Sequence, residues 1–518
     1  FNRYHQNYEG IAQIAQKQIT KGETYIASDN NHFPIPLAEA LRTGYASYFK
    51  NVALASANDE HVVSFGEKMF TRRGMFTEPG FSRIFTLKMV AGSADGLKEV
   101  STILLSQSNA RSLFGSEDPI GKTLKFDKLS TLKVTGVFED MPVNSAFSEV
   151  SFLCPWNLLP RINPYVKENL DNWGNSSFHI YVQTDPAIPM ASISKGIEES
   201  YSSKIKDIES NSGKKVTLFL HPMKDWHLRS AWTNGIQTGG RIRIVWMFGI
   251  IGAFVLALAC INFMNLSTAR SAKRAKEVGI RKAIGSLRHQ LIKQFIGESF
   301  LLVCIAFAIS LTLVYFSMDW FNTLTYKNIS LPFAQPLFWL MALAFILVTA
   351  FISGSYPAFY LSAMQPVKVL KGKIQSGWMA LYSRRTLVAL QFTVSISLII
   401  ASIVVYYQVQ LARDRPAGYD KKGLIQVMLT TPDLDGKYEV LKKELTQTGG
   451  AIGFARSTAP ATDVNYFDDR FEWEGMNPNE PKKSFTIAAV SVDYGNTIGW
   501  ELVQGRDFST QFPADKSA

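Results

Sequence analysis

Four long apolar runs in the second half of the chain dominate its hydrophobic pattern. The runs 244–266, 299–318, 336–360 and 386–412 lack Asp, Glu, Lys and Arg and are rich in Leu, Ile, Val, Phe and Ala. An α-helix rises 1.5 Å per residue, so about 20 apolar residues are enough to cross the ~30 Å hydrocarbon core of a bilayer. The pattern predicts four transmembrane helices, at residues 244–266, 295–318, 336–360 and 386–412.

The connectors between these runs differ sharply in charge. Connectors 267–294 and 361–385 together carry thirteen basic residues and one acidic residue, Glu277, whereas 319–335 carries one Lys and one Asp. Basic connectors remain in the cytoplasm. The first and third connectors are therefore predicted to be cytoplasmic, 319–335 is a short external loop, and residues 1–243 and 413–518 lie outside the cytoplasm.

The same count explains the basic composition of the chain. The 518 residues have a formal net charge of +11. The two cytoplasmic connectors account for +12, and the remaining residues sum to −1. Because the excess positive charge is confined to the connectors that orient the helices, no basic patch is left for nucleic acid. The partner predicted from composition is membrane lipid.

The extracytoplasmic residues mix short strands and short helices, which predicts an α+β fold outside an α-helical membrane bundle. Leu97–Gly115 has the pattern of a strand that leads into a helix, with Ser106 as its N-cap. Thr123–Glu139 alternates as a hairpin does, with its turn near Lys128–Ser130. Further strands are predicted at Ser177–Thr184 and Val216–His221, and a helix at Ala191–Ser203.

A weak internal repeat links the two extracytoplasmic parts. Gly80–Gly92 and Asp493–Gly505 share an aromatic second residue, later apolar positions and a terminal glycine. Repeated units of this kind indicate a duplicated architecture. The chain also opens at Phe1 in polar sequence and stops in what resembles a folded domain, so we expect it to be a fragment.

Candidate chemistry is sparse. Gly115–Thr123 resembles a phosphate-binding loop, but five residues separate its glycines, and a helix precedes it where a strand is required. We interpret it as a helix-to-strand turn. The histidines have no metal-ligand spacing, and His221 and His227 are expected at a surface or interface. Without a nucleophile–base constellation, the sequence predicts no catalytic, metal-binding or cofactor-binding residues.

The first cytoplasmic connector carries the most information. Ile280, Ile284 and Leu287 follow helical spacing, while Arg281 and Lys282 fall off that stripe. Two interpretations remain open from the residues: a basic amphipathic helix on the inner leaflet, or a helix that docks into a cytoplasmic partner.

Specific motifs resemble the FtsX/MacB-type permeases of ABC transporters. They are KEVGIRKAIG at 276–285, QFIGES at 294–299, SGSYPA at 353–358, QPVKVLKG at 365–372, and LFGSEDPIGK at 113–122. The resemblance covers nearly the whole chain. It implies a MacB-like periplasmic core at 1–243, three helices that close a first module, a helix that opens a second module, and a second, truncated extracytoplasmic domain at 413–518.

The resemblance also implies that this chain hydrolyses nothing and binds no ATP itself. A cytoplasmic ABC ATPase subunit would supply the hydrolysis and dock on the first connector. The residues expected to make or shape that contact are Arg274, Glu277, Gly279, Ile280, Arg281, Lys282, Ile284 and Leu287. A periplasmic adaptor or an outer-membrane component is a further expected partner.

Three functions fit this resemblance. The first is an inner-membrane permease that couples ATP hydrolysis to motion of a periplasmic domain and exports a peptide, antibiotic or lipid-linked substrate. The second is a lipoprotein-releasing permease. The third is a non-transporting regulator that transmits conformational change to a periplasmic hydrolase.

Overall fold

We describe the fold from a computed structural model of the chain. It describes residues 4–516 with gaps at 21–22, 27–30, 213, 270, 364–377, 435, 463, 465–466, 469–470, 472, 474 and 477–484. Side chains are left undescribed at some further positions, including 267–276. Most of the predicted linker 361–385, and the resemblance at 365–372, lie outside the described residues.

Twelve strands before the first membrane helix form one connected sheet. They are Ile11–Thr20 (β1), Glu23–Tyr25 (β2), Phe49–Ala55 (β3), Asp59–Phe65 (β4), Lys68–Thr77 (β5), Met89–Gly92 (β6), Thr102–Ser106 (β7), Thr123–Phe126 (β8), Ser130–Phe138 (β9), Phe152–Pro155 (β10), His179–Thr184 (β11) and Lys214–Pro222 (β12). The hairpin Ala231–Thr233 (β13) and Ile236–Gly239 (β14) follows them. Short strands Phe467–Asp468 (β15) and Phe485–Thr486 (β16) pair near the end of the chain.

Among the described residues, seven helices accompany this sheet and seven follow it. The first seven are Ile35–Gly44 (α1), Gly80–Ile84 (α2), Gln107–Phe114 (α3), Leu159–Ile162 (α4), Pro164–Glu168 (α5), Met190–Ile197 (α6) and Lys206–Ser212 (α7). Those described after the sheet are Ile242–Ala269 (α8), Ser271–Ala283 (α9), Arg288–Thr325 (α10), Pro336–Ala363 (α11), Trp378–Asp414 (α12), Tyr438–Gln447 (α13) and Tyr494–Ile498 (α14).

The sheet has two parts. Strands β12, β1, β11 and β3 lie side by side in that order and pair antiparallel, which is the order of a split β-α-β arrangement. Strand β10 pairs with both β7 and β5, so six strands close into a ring in the order β5, β4, β8, β9, β7 and β10. Along the chain, this ring is inserted between β3 and β11. The α+β fold predicted for this region is confirmed.

Several local predictions are confirmed here. The side chain of Ser106 caps α3 by accepting a hydrogen bond from the Asn109 amide at 3.4 Å. The hairpin β8–β9 forms with its turn at Asp127–Leu129. Residues 115–122 connect α3 to β8, so the loop that resembles a phosphate site is a helix-to-strand turn. Its Lys122 pairs with Glu117 and lies over the Phe65 and Phe114 rings.

Four helices of the described residues, within α8, α10, α11 and α12, are long and apolar enough to cross a membrane. All four helices extend beyond their predicted bounds. Helix α8 reaches Ala269, and α10 continues to Thr325, so the first seven residues of the predicted external loop 319–335 are helical. The hydrophobic pattern marks only the part of a helix that needs lipid, whereas backbone hydrogen bonding continues past it.

Close packing of α10 on α11 depends on Gly354. A Cβ atom at this position would lie 2.7 Å from Ser299 Oγ and 2.8 Å from Ser299 Cβ. Ser299 is buried and donates its hydroxyl to the Phe295 carbonyl at 3.0 Å. The two helices therefore approach each other where both carry small residues, as membrane helices commonly do.

We expect Gly354→Leu to force α10 and α11 apart at a cost of about 1–3 kcal/mol. Thermal unfolding of the full chain in detergent measures the effect. Gly297→Leu is the matched control in α10, because nothing lies within 4 Å of a Cβ atom at Gly297. Equal melting temperatures for the two variants would contradict this packing.

The backbone around α2 recurs around α14. Each short helix follows a segment that pairs with an earlier segment through reciprocal main-chain bonds, between β3 and β5 in the first case and as an isolated bridge of Ser457 and Val490 in the second. At each pairing two side-chain oxygens accept amide protons. The first set of bonds is Ser56 N to Phe76 O, Glu78 N to Leu54 O, Leu54 N to Glu78 Oε2 and Phe76 N to Ser56 Oγ; the second is Thr458 N to Ala489 O, Ser491 N to Arg456 O, Arg456 N to Ser491 Oγ and Ala489 N to Thr458 Oγ1.

Backbone angles extend this correspondence. Thr86 and Gly499, which follow the two helices, both have positive φ, at 49° and 67°. Gly92 and Gly505, which end the two repeated segments, have φ of 70° and 84°. The segments that the sequence matched weakly thus share hydrogen-bond register and left-handed positions.

Candidate functional site: the cytoplasmic connector

Helix α9 packs against the inner ends of α10 and α11. Val278 of α9 is buried with Leu291 and Phe295 of α10 and with Ala358 and Leu361 of α11. These five side chains form an apolar cluster, and Gly279 is buried beside it. The cluster holds α9 against the membrane helices. Burying a side chain of the size of Val, Leu or Phe stabilises the folded state by roughly 1.5–3 kcal/mol.

Charged side chains tie the same helix down at its edges. Arg281 Nη2 lies 2.7 Å from Glu277 Oε1, and Arg281 Nη1 donates to Gln294 Oε1 at 2.5 Å. Gln294 Nε2 in turn donates to Glu298 Oε1 at 3.2 Å. This polar chain lines a cavity of about 60 Å³ between α9 and α10.

A second contact secures the far side. Lys282 Nζ donates to the Ser362 carbonyl at 2.5 Å, and Arg288 Nε reaches Ser362 Oγ at 3.5 Å. Lys282 therefore caps the end of α11, where backbone carbonyls lack helical partners. Arg281 and Lys282, which the sequence offers as partner contacts, both make intramolecular bonds in this state.

The apolar residues predicted as one helical stripe face away from this cluster, but only Ile280 lies in α9. The helix ends at Ala283, and Ile284 and Leu287 lie in the turn before α10, where Gly285 has a φ of 106°. Ile280, Ile284 and Leu287 are exposed, with Ile284 at 81%. Of the eight residues expected to serve the ATPase contact, these three form an uncovered apolar surface, Glu277, Arg281 and Lys282 border it, and Gly279 packs beneath it. The side chain of Arg274 lies outside the described residues.

Two families match this chain. The family described as "FtsX-like permease C-terminal" matches residues 249–366, and the one described as "MacB-like periplasmic core domain" matches residues 2–200. The chain is a permease of the FtsX/MacB type. The first match contains α9, the apolar stripe and the cluster beneath it, and the second contains most of the twelve-stranded sheet.

Curated relatives of this FtsX/MacB-type permease are similar at low identity. The macrolide export ATP-binding/permease protein MacB of Bdellovibrio bacteriovorus is 23% identical over 300 residues, which are 57% of this chain and 41% of the relative. The MacB of Rhodopseudomonas palustris is 25% identical over 306 residues, 55% of this chain and 40% of the relative. The matched parts thus span about two-fifths of these relatives.

Solved structures of periplasmic domains are also similar. A domain of a putative permease from Porphyromonas gingivalis has a TM-score of 0.36 and 21% identity, covering 42% of this chain and 91% of that one. The periplasmic region of MacB from Actinobacillus actinomycetemcomitans has a TM-score of 0.30 and 18% identity, covering 43% and 92%.

Among the described residues no group of three or more His, Cys, Asp or Glu side chains is placed to hold a metal ion. One residue differs from its sequence prediction. His221, expected at a surface or interface, is only 4% exposed, because β12 is buried along Thr217–His221 and the Trp232 ring lies 5.7 Å from the imidazole.

Proposed function

We propose that this chain is the permease of an inner-membrane ABC transporter whose ATPase is a separate cytoplasmic subunit. The observation that carries the proposal is the exposed stripe Ile280, Ile284 and Leu287, which adjoins the packing of α9 against α10 and α11. This uncovered apolar surface, formed by the end of α9 and the turn that follows it and bordered by Glu277 and basic residues, fits an apolar groove on a protein partner. The chain itself needs no cofactor in this scheme.

Force would pass from the ATPase through α9 to the membrane helices. Val278 and its neighbours join α9 to α10 and α11, and α11 in turn packs on α8. Helix α8 follows directly from the extracytoplasmic core through the β13–β14 hairpin. A displacement of α9 would therefore be transmitted through packed helices to the extracytoplasmic side.

We further propose the duplicated organisation for this permease. The recurring bonds around α2 and α14 support assigning residues 413–518 to a second core that begins as the first one does. The region outside the cytoplasm then contains two related units, which suits handling of an exported peptide, antibiotic or lipid-linked substrate with an adaptor or outer-membrane component. Lipoprotein release would use the same parts.

A double substitution tests the docking surface. Glu277→Lys with Ile284→Asp should abolish co-purification of the ATPase and its stimulation by the permease, since a charge in a buried apolar contact costs several kcal/mol. The measurements are ATPase recovery with the tagged permease and ATP hydrolysis in nanodiscs.

The matched control is Ile236→Asp on the β13–β14 hairpin, where Ile236 is 70% exposed on the opposite side of the membrane in the proposed topology. It should leave both readouts unchanged. Normal ATPase recovery and stimulation in the Glu277/Ile284 variant would overturn the docking site. Intact ATPase coupling with no export but altered cell-wall hydrolysis would favour the regulator instead.

A further inference from the structure

A chain of polar contacts joins the proposed docking surface to helix α10. It runs from Glu277 and Arg281 of α9 to Gln294 and Glu298 of α10, and all four side chains line the cavity of about 60 Å³ between the two helices. We call these four residues the polar relay. The relay connects two of the sequence motifs, KEVGIRKAIG and QFIGES, of which only the first contributes to the docking surface.

Arg281 is the branch point of the polar relay. Nη2 of its guanidinium lies 2.7 Å from Glu277 Oε1, and Nη1 donates to Gln294 Oε1 at 2.5 Å. Its backbone carbonyl accepts the Ser286 amide at 3.0 Å, which closes the turn after α9. Because a guanidinium holds its donors in a rigid plane, an acceptor fixed on one side of it also fixes the direction of the other contact. Arg281 therefore sets the position of Glu277.

Gln294 supplies that fixed acceptor. The Glu277 and Arg281 side chains are 56% and 43% exposed, and exposed ion pairs of this kind are weak because ordering two long side chains offsets their attraction. Gln294 is only partly exposed, and its amide is held at both ends, since Oε1 accepts from Arg281 and Nε2 donates to Glu298 Oε1 at 3.2 Å. The pair on α9 is thus ordered by a contact from α10.

Glu298 anchors the relay at its inner end. It lies one helical turn after Gln294 and next to Ser299, which packs against Gly354 of α11. Acidic side chains in membrane helices are costly and are found where they have a bonding partner, which here includes the Gln294 amide. The relay therefore fixes Glu277 relative to the close contact between α10 and α11.

The outer end of the relay is an exposed carboxylate. Glu277 Oε1 faces Arg281, whereas Oε2 makes no hydrogen bond or ion pair within the part of the chain that the structure describes. An ionised acceptor forms strong hydrogen bonds with N–H donors and cations. An oriented carboxylate binds such a group more tightly than a mobile one, because it loses less side-chain freedom on binding.

We propose that Gln294 and Glu298 are positioning residues for the ATPase contact, which act through Arg281 to hold Glu277 towards a basic side chain or N–H donor of the ATPase. This inference rests on the docking surface proposed above and adds the residues that pre-organise it. Neither Gln294 nor Glu298 touches the ATPase in this scheme. Their loss therefore weakens ATPase binding and leaves ATP turnover by the saturated complex unchanged.

A titration of the ATPase subunit that co-purifies with the permease, added to the full chain in nanodiscs, tests the proposal. Stimulated ATP hydrolysis gives two quantities, the ATPase concentration at half-maximal stimulation and the rate at saturation. Gln294→Leu, which removes both amide bonds, should raise the first about three- to tenfold, because side chains must then be ordered on binding. The rate at saturation should not change. A rise of less than threefold, or a lower rate at saturation, contradicts the positioning role.

An exchange of the two residues on α10 separates positioning from a general loss of structure. Gln294→Glu should weaken binding as Gln294→Leu does, because two carboxylates then face each other. Gln294→Glu combined with Glu298→Gln should restore the affinity to within twofold, since the carboxylate at 294 can accept hydrogen bonds from both Arg281 and the amide at 298. A folded double variant that still binds weakly overturns the relay, and Gln294→Leu remains decisive should the double variant fail to fold.

Gln335→Leu is the matched control, because Gln335 is exposed in the loop between α10 and α11, on the opposite side of the membrane in the proposed topology. It should leave both quantities unchanged. The Glu277→Lys, Ile284→Asp variant in the same titration distinguishes the two proposals. If that variant binds normally, the docking surface itself is wrong; if it does not bind but Gln294→Leu binds normally, only the relay is wrong.

Discussion

Gly92→Ala should destabilise the extracytoplasmic core by about 3 kcal/mol or more. A Cβ atom on Gly92 would lie 2.2 Å from the Thr135 carbonyl oxygen and 2.8 Å from Gly136 Cα. Both contacts are with the backbone of β9, which is paired to β7 on its other side and to β8 along its preceding residues and cannot move aside. The left-handed φ of 70° adds a penalty of its own.

Gly121→Ala is the matched control for Gly92→Ala in the same core. Gly121 has a similar φ of 80°, but nothing lies within 4 Å of a Cβ atom there. Gly121→Ala should therefore lower the free energy of unfolding only by the cost of a left-handed backbone at alanine, about 1–2 kcal/mol. Urea unfolding of the full chain in detergent, followed by pulse proteolysis, compares the two variants. Equal losses would mean that β6 and β9 do not approach as closely as described.

Acidification should destabilise the same core strongly between pH 6.5 and 4. Burial, together with charge repulsion from His32, whose ring centroid lies 4.6 Å away, lowers the pKa of His179 to about 4, and a hydrogen bond to the Asn31 backbone acts in the opposite direction. Burial also lowers the pKa of His5, whose ring contacts the Phe85 carbonyl and Ser145 Oγ. The folded core thus binds fewer protons than the unfolded chain in this window.

The sign follows from that proton count. Stability is fully present above pH 6.5, where both states hold neutral imidazoles, and falls as pH decreases towards 4 because protons favour the unfolded chain. For His179 alone the change is about 3 kcal/mol. Urea unfolding of the full chain at pH 7 and pH 4.5 measures it.

His179→Gln isolates the contribution of His179 to this pH dependence. Glutamine keeps a donor for the Asn31 carbonyl, which His179 Nδ1 reaches at 3.1 Å. The variant should lose much of the difference in unfolding free energy between pH 7 and 4.5 that the unsubstituted chain shows. The same difference in both proteins would show that other groups, such as carboxylates, dominate acid unfolding.

Local features of this protein were predictable where they depend on neighbouring residues. The cap at Ser106, the turn at Asp127–Leu129 and the apolar spans each follow from residues within a few positions. The closure of β5 through β10 into a ring was not, because the pairing of Phe152–Pro155 with Gly74–Thr77 joins distant strands without a local signal. The weak repeat lies between these cases, since the two segments share main-chain bonds although few of their residues are identical.

The candidate functional residues also include some that the local sequence predicts and some that it does not. Helical spacing selected Ile280, Ile284 and Leu287, and the structure leaves these residues exposed, but it breaks the predicted helix after Ala283, at a turn that contains Gly285. Spacing could not show that Lys282 caps α11, because Ser362 lies far away in the sequence. The sequence also placed His221 wrongly. A polar residue at the end of an apolar strand resembles a surface position, and only the folded segment after it shows that it is buried.

Helix α10 is long enough to act as a lever. Its 38 residues span about 57 Å, nearly twice the ~30 Å hydrocarbon thickness. One end lies in the cluster beneath α9, and the other extends past the predicted outer boundary of the membrane. A helix resists bending over this length better than a jointed segment, so a tilt imposed beside the proposed ATPase contact would become a lateral sweep of its outer end without any intermediate hinge.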